Sequence, residues 1–165
     1  MTPGWLGHHY WLPVDVHAQN GNGTRDSHFL FLVSDFDLSK VMQHYVNNQH
    51  DTLALYDVQD LSLAKLYGIV KLNGSKITEL KEKPSNPVST LASTAMWLLS
   101  ESGQNSLINY LDSGVEKDSM GAFMAYHCVN NHVEGVVYDG SWFDIGSPAA
   151  YQTAINWANT RDAVL

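Results

Sequence analysis

The sequence predicts an α/β fold on a mixed, mostly parallel sheet with an inserted hairpin. Two observations carry that reading. Short apolar runs alternate with amphipathic stretches: Phe29-Leu30-Phe31-Leu32-Val33 reads as a buried, parallel strand, and Leu38, Val41, Met42 and Tyr45 then recur at helical spacing. Strand–helix–strand order of this kind favours parallel pairing. Asn73-Gly74 between two alternating runs is the signature of a β-hairpin.

The chain has 165 residues, the size of one domain, and 44% of them are hydrophobic against 16% charged. That is ample apolar matter for a core. Nine Lys and Arg face seventeen Asp and Glu, a formal charge of -8. Such a surface repels phosphate backbones, so nucleic acid is excluded as an expected partner. No apolar run reaches the ~18 residues of a membrane helix, and no basic-then-apolar leader opens the chain. A membrane is therefore not an expected partner, and a cytoplasmic location is expected. Cys128 is the single cysteine, which fits a reducing compartment. It shares an apolar helix face with Phe123 and Met124, the setting of a buried thiol rather than a nucleophile.

Residues 1–28 form a poorly defined N-terminal arm in this reading. They carry Trp5, Trp11, His8, His9, His17 and His28 with no period of 2 or 3.6. His8, His9 and His17 could offer imidazoles to a transition metal, but no His-x-x-x-His helix or nearby cysteine supports a site. The domain is expected over 29–165. A helix from about 37 to 49 has Asp37 at its N-cap. A strand follows over 52–58, then a short helix over 61–67 with Gly68 where a C-cap would fall. The hairpin joins 69–72 to 76–80. Another strand runs from 90 to 99, and helices are expected at about 106–111 and 121–129. A strand over 133–138 and a short extended piece over 142–146 come next. Pro148 starts a last helix at its first turn.

Five pieces of this sequence resemble, in order, the C-terminal two thirds of the sugar-phosphate nucleotidyltransferases, the NDP-sugar pyrophosphorylases such as glucose-1-phosphate thymidylyl- or uridylyltransferase. They are Asp51-Thr52, Tyr67-Gly68-Ile69-Val70, Glu82-Lys83-Pro84, Ser89-Thr90-Leu91-Ala92-Ser93-Thr94, and Trp142-Phe143-Asp144-Ile145-Gly146. The resemblance implies a truncated, Rossmann-like, three-layer domain. It also implies attack of a sugar 1-phosphate on the α-phosphorus of a nucleoside triphosphate, with loss of pyrophosphate. Transfers of this kind depend on positioned cations more than on covalent chemistry.

The family's roles carry over by position. Asp144 matches an aspartate that ligates Mg²⁺, a hard cation suited to carboxylate and phosphate oxygens; its competing reading is a cap for the helix that Pro148 starts. Asp35 matches the other metal aspartate, at the carboxyl end of a strand, although it also suits the start of the next helix. Glu82 matches a residue that binds sugar hydroxyls and Lys83 one that meets the sugar phosphate, the catalytic position of the set. Read without the family, the two are part of a solvated charged loop. Gly68 matches a glycine whose backbone approaches the sugar. Thr94 and Ala95 match a Thr-Gly pair lining the sugar pocket, with alanine where the family has glycine. The family's Gly-rich triphosphate loop has a superficial echo in Gly21-Asn22-Gly23-Thr24-Arg25, but no apolar strand precedes it.

The expected function is thus Mg²⁺-dependent nucleotidyl transfer to a sugar 1-phosphate, with the sugar-phosphate and metal half present and the nucleotide-binding signature missing. The alternative is a non-catalytic remnant or binding module of that fold, holding a sugar 1-phosphate or nucleotide sugar. In either case the sheet edge left by missing N-terminal strands needs cover, from a homodimer or from the arm.

Overall fold

The computed structural model describes residues 12–19, 25–34, 38–113, 120–145 and 147–162. In chain order the elements are β1 (Leu12–Gln19), β2 (Arg25–Ser34), α1 (Leu38–Asn48), β3 (Asp51–Asp57), α2 (Leu61–Ala64), β4 (Gly68–Asn73) and β5 (Lys76–Glu82). After them come β6 (Leu91–Leu98), α3 (Glu101–Asp112), α4 (Met120–Asn130), β7 (Val133–Val137), β8 (Trp142–Asp144) and α5 (Pro148–Asp162). They fall into two units. One is Met1–Phe36 with Gly140–Leu165, and the other is Asp37–Asp139.

In the first unit β2 is the centre of a three-stranded sheet ordered β1-β2-β8, both pairings antiparallel. The expected parallel strand over 29–33 is the second half of β2, and the strand is antiparallel because its neighbour β1 returns from the same hairpin. The arm expected over 1–28 contains β1 and the start of β2, while residues 20–24 between them lie outside the described residues. The ladder to β8 runs from Leu32↔Asp144 to Ser34↔Trp142. Phe143 then meets Trp157 of α5 at 5.2 Å between ring centroids, and Ala154 is buried.

The second unit carries a five-stranded sheet. β3 lies between β6 and β7, β4 joins β6 to β5, and one pair, Lys76↔Glu134, brings β5 to β7. Among the described residues only β3 and β7 pair in parallel, so the mostly parallel sheet expected from the sequence is not what forms. The reason is connection length. Parallel neighbours need a crossover, which α3 and α4 supply between β3 and β7. A two-residue turn links β4 to β5 and forces antiparallel pairing, with Gly74 taking the φ of 62° that such a turn demands.

Strand alternation sorts the two faces of this sheet. Leu53, Leu55 and Val133 point to one face, where they pack with Val70, Ile77, Leu80, Tyr110, Phe123, Met124 and Cys128. Glu134 points to the other, where it meets His44 and Asn48 of α1. Helices therefore cover both faces, α3 and α4 on one and α1 on the other. A Cβ on Gly135 would press into Leu55 and Leu72, so a glycine is what lets β7 sit this close.

The helix boundaries shift from the sequence reading where caps decide them. Ser100 accepts from the Gly103 amide and starts α3 at Glu101, before the expected 106. Helix α2 ends at Ala64 with Lys65 as its cap, so Gly68 is not a helix C-cap and instead opens β4. No described helix is long and apolar enough to cross a membrane.

Candidate functional site

Two ends of the β4–β5 hairpin must be distinguished. At the open end Gly68 pairs with Glu82, and the Lys83 amide donates to the Tyr67 carbonyl at 3.0 Å. Tyr67-Gly68 and Glu82-Lys83, separate in sequence, are thereby held side by side. A Cβ on Gly68 would stand 2.9 Å from Glu82 Oε2 and 3.9 Å from Ser93 Cβ, so the missing side chain makes room for the Glu82 carboxylate. Glu82 and Lys83 are both exposed, and the Lys83 ammonium lies 4.0 Å from Glu82 Oε1. An ion pair this exposed adds little stability and leaves both groups free to reorient.

Lys83 has φ 42° and precedes Pro84, a place where an extended backbone is usual. Ala95 has φ 59°. Its position is explained by the β3–β6 ladder, which steps from Leu53↔Trp97 to Leu55↔Ser93. Between these pairs one residue of β3, Ala54, faces three of β6, and the surplus is a bulge containing Thr94 and Ala95. Thr94 is buried and its hydroxyl donates to the Ala54 carbonyl at 2.8 Å across the bulge. Ala95 is exposed at the crest. Bulges re-aim chains beside functional sites, and left-handed non-glycine residues persist only where their surroundings impose them.

Asp144 is the last residue of β8, half-buried and paired with Leu32. Ser147 serves as an N-cap of α5. The Ala150 amide donates to Ser147 Oγ at 3.1 Å and the Tyr151 amide to the Ser147 carbonyl at 3.0 Å. Asp35 lies outside the described residues, as do residues 1–11 with His8 and His9.

Two side-chain networks were not visible in the sequence. Asp51, the first residue of β3, is 4% exposed and accepts from His127 Nε2 at 2.6 Å and from the Ser100 amide at 2.5 Å. His127 is fully buried, with Ser106 Oγ 2.9 Å and Asn131 Nδ2 3.0 Å from Nδ1. With Nε2–H given to Asp51, Nδ1 is the acceptor for both. This network ties β3 to α3 and α4. Glu134 anchors the second network. Its Oε2 accepts from His44 at 2.6 Å and Asn48 at 2.8 Å, and its Oε1 from Ser75 at 3.1 Å and His132 at 3.3 Å. In the sequence Asp51 stood out only within the Asp51-Thr52 piece of the family resemblance; its partner is 76 residues away and no local signal joins them.

Comparison with known proteins adds to this geometry. Residues 17–160 match the family described as nucleotidyl transferase. A glucose-1-phosphate adenylyltransferase of Lachnospira eligens is 31% identical over 114 residues, covering 67% of this chain and 26% of that protein. A UTP-bound UGPase of Acinetobacter baumannii superposes with a TM-score of 0.62 at 20% identity, covering 77% of this chain and 47% of that one. A UDP-glucose pyrophosphorylase complexed with UDP-glucose does so with a TM-score of 0.62 at 19% identity, covering 75% and 49%. The chain thus spans about a quarter of the curated relative and about half of these solved chains, and the structural likeness is one of α/β fold.

Proposed function

Since the chain belongs to the sugar-phosphate nucleotidyltransferase family, we propose that it forms the sugar-phosphate and metal half of a nucleotidyl-transfer site. One observation carries the reading. Among the described residues four non-glycines have positive φ, and two of them are positions to which the family pattern gives a role, Lys83 at the sugar phosphate and Ala95 in the sugar pocket. Strain stored at Lys83 and at the Thr94–Ala95 bulge is the mark of a built binding edge.

In this proposal Glu82 accepts from sugar hydroxyls, and Gly68 leaves the space that its carboxylate needs. The Lys83 ammonium holds the sugar phosphate and offsets its charge as the 1-phosphate oxygen attacks the α-phosphorus of a nucleoside triphosphate. Thr94 fixes the bulge through Ala54, and Ala95 lines the pocket. Asp144 is a half-buried carboxylate at the end of β8, a hard oxygen donor of the kind Mg²⁺ accepts, with Asp35 as the second ligand. A bound Mg²⁺ would neutralise charge on the phosphate oxygens.

The alternative, a sugar-phosphate-binding module without catalysis, is favoured by Ala95 itself, because its methyl occupies the place of the family's glycine. Coverage of β2 by β1 supports the arm, rather than a second copy of the chain, as protection for that strand.

The test is to supply Mg²⁺, glucose 1-phosphate and each nucleoside triphosphate in turn, and to follow both pyrophosphate and thermal stability. Stabilisation by glucose 1-phosphate that disappears in Lys83→Ala supports the sugar-phosphate half. Pyrophosphate release abolished in Asp144→Ala supports the enzyme over the module. Absence of both effects would overturn the proposal.

A further inference from the structure

The opposite end of the second unit's sheet holds a different chemistry. β3 and β7 run in parallel with Asp51 opposite Val133. The residues just before those two, His50 and His132, are therefore neighbours by register alone. Their rings stack at 4.0 Å between centroids with 16° between planes. Glu134 lies two residues beyond His132 and so projects to the same face. One donor atom from each of His50, His132 and Glu134 falls within a single sphere of contact, all within 4.8 Å of one another.

We infer that His50, His132 and Glu134 form a binding site for a divalent transition ion of the Zn²⁺ class, a site separate from the sugar-phosphate edge. Two imidazoles and a carboxylate are the donor set that such ions prefer over Mg²⁺. Ligands about 2.0–2.2 Å from a tetrahedral ion stand about 3.4 Å from each other. His132 Nε2 and Glu134 Oε1 are already 3.3 Å apart, and a ring nitrogen of His50 completes the set within 4.8 Å. His44 and Asn48 on Glu134 Oε2, with Ser75 on Oε1, orient the carboxylate from outside the trio, as partners around a metal ligand do.

The position argues for a clasp. His50 follows α1 through Gln49, whose φ is 57°, so the ion would tie the helix exit and β3 to the start of β7. The Ser75 turn of the β4–β5 hairpin reaches the same carboxylate. Gly68 and Glu82 sit at the far end of that hairpin, six residues of strand away, or roughly 20 Å. The inference therefore stands or falls apart from the proposed transfer reaction.

Titration of the metal-stripped full chain with Zn²⁺, and with Co²⁺ read by its visible absorption, tests it directly. One ion per chain is expected, with a rise in melting temperature. Partners outside a metal's ligands alone change affinity about 10–100-fold, so removing a ligand in His50→Ala or His132→Ala should weaken binding at least tenfold. His8→Ala/His9→Ala should leave it unchanged. The inference is overturned if the wild-type chain binds neither ion, or if binding survives both His50→Ala and His132→Ala undiminished, including the case in which the arm histidines hold it. Should either alanine variant fail to fold, His50→Asn with wild-type circular dichroism decides the same question through loss of the metal-dependent melting shift.

Discussion

Ala95 holds φ at 59° while carrying a methyl that glycine would spare it. Left-handed backbone costs an L-residue roughly 1–2 kcal/mol, and glycine's freer unfolded chain returns part of that. Ala95→Gly should therefore stabilise the protein by about 0.5–1 kcal/mol in urea melts and tighten glucose 1-phosphate binding; an unchanged or lower midpoint would mean that the bulge is not strained there. Gly68→Ala makes the opposite demand. Its new Cβ crowds only the exposed carboxylate of Glu82 and makes ordinary contacts with Leu80 and Ser93, so stability should change by less than about 1 kcal/mol while glucose 1-phosphate stabilisation is lost. Cys128 is governed by burial, which pushes its thiol up to about 12, helped by the charge of Asp51. It should resist alkylation at pH 8 until the protein unfolds, and a thiol titrating rapidly in native buffer would contradict the packing described.

At the scale of elements, the links between β3, α3 and α4 converge on Asp51. A Cβ on Gly103 would lie 2.8 Å from Asp51 Oδ1 and Cγ, and closer still to Oδ2. Gly103→Ala should displace the carboxylate from His127 and Ser100 and cost about 3 kcal/mol or more, measured by chemical denaturation, as for other broken buried pairs. Glu134 predicts a pH signature. Burial raises its pKa, but hydrogen bonds from Asn48, His44, Ser75 and His132 outweigh that and hold it at about 2, against an ordinary 4.5. A depressed folded value means stability present above pH 4.5 and lost as pH falls toward 2. In metal-free buffer Glu134→Gln should flatten that fall; an unaltered slope would locate acid sensitivity elsewhere. The elements themselves were largely legible, because periodicity, Asn73-Gly74 and Pro148 are local signals. The bulge at Thr94–Ala95 and the His50–His132 pair were not. Both arise from register between strands distant in sequence, and the motif at Glu82-Lys83 was readable only through its family pattern.

For the whole molecule, the apolar cluster from Leu53 to Val133 lies wholly inside Asp37–Asp139. A unit with its own core has what independent folding requires. A chain of residues 37–139 should accordingly unfold cooperatively, with dispersed amide resonances, and a molten spectrum would show that the other segments are required. The first unit has the reverse character. Its central strand β2 takes partners from both sides, and Ser34 pairs with Trp142, 108 positions later. On a ribosome adding about 5–20 residues each second, β2 would wait roughly 5–20 s for β8 to be made. During that interval β1 is the neighbour already synthesised. The pairing of β1 with β2 then halves the exposed strand edge during the wait, and the edge that β8 takes is the one left open until Trp142–Asp144 emerge.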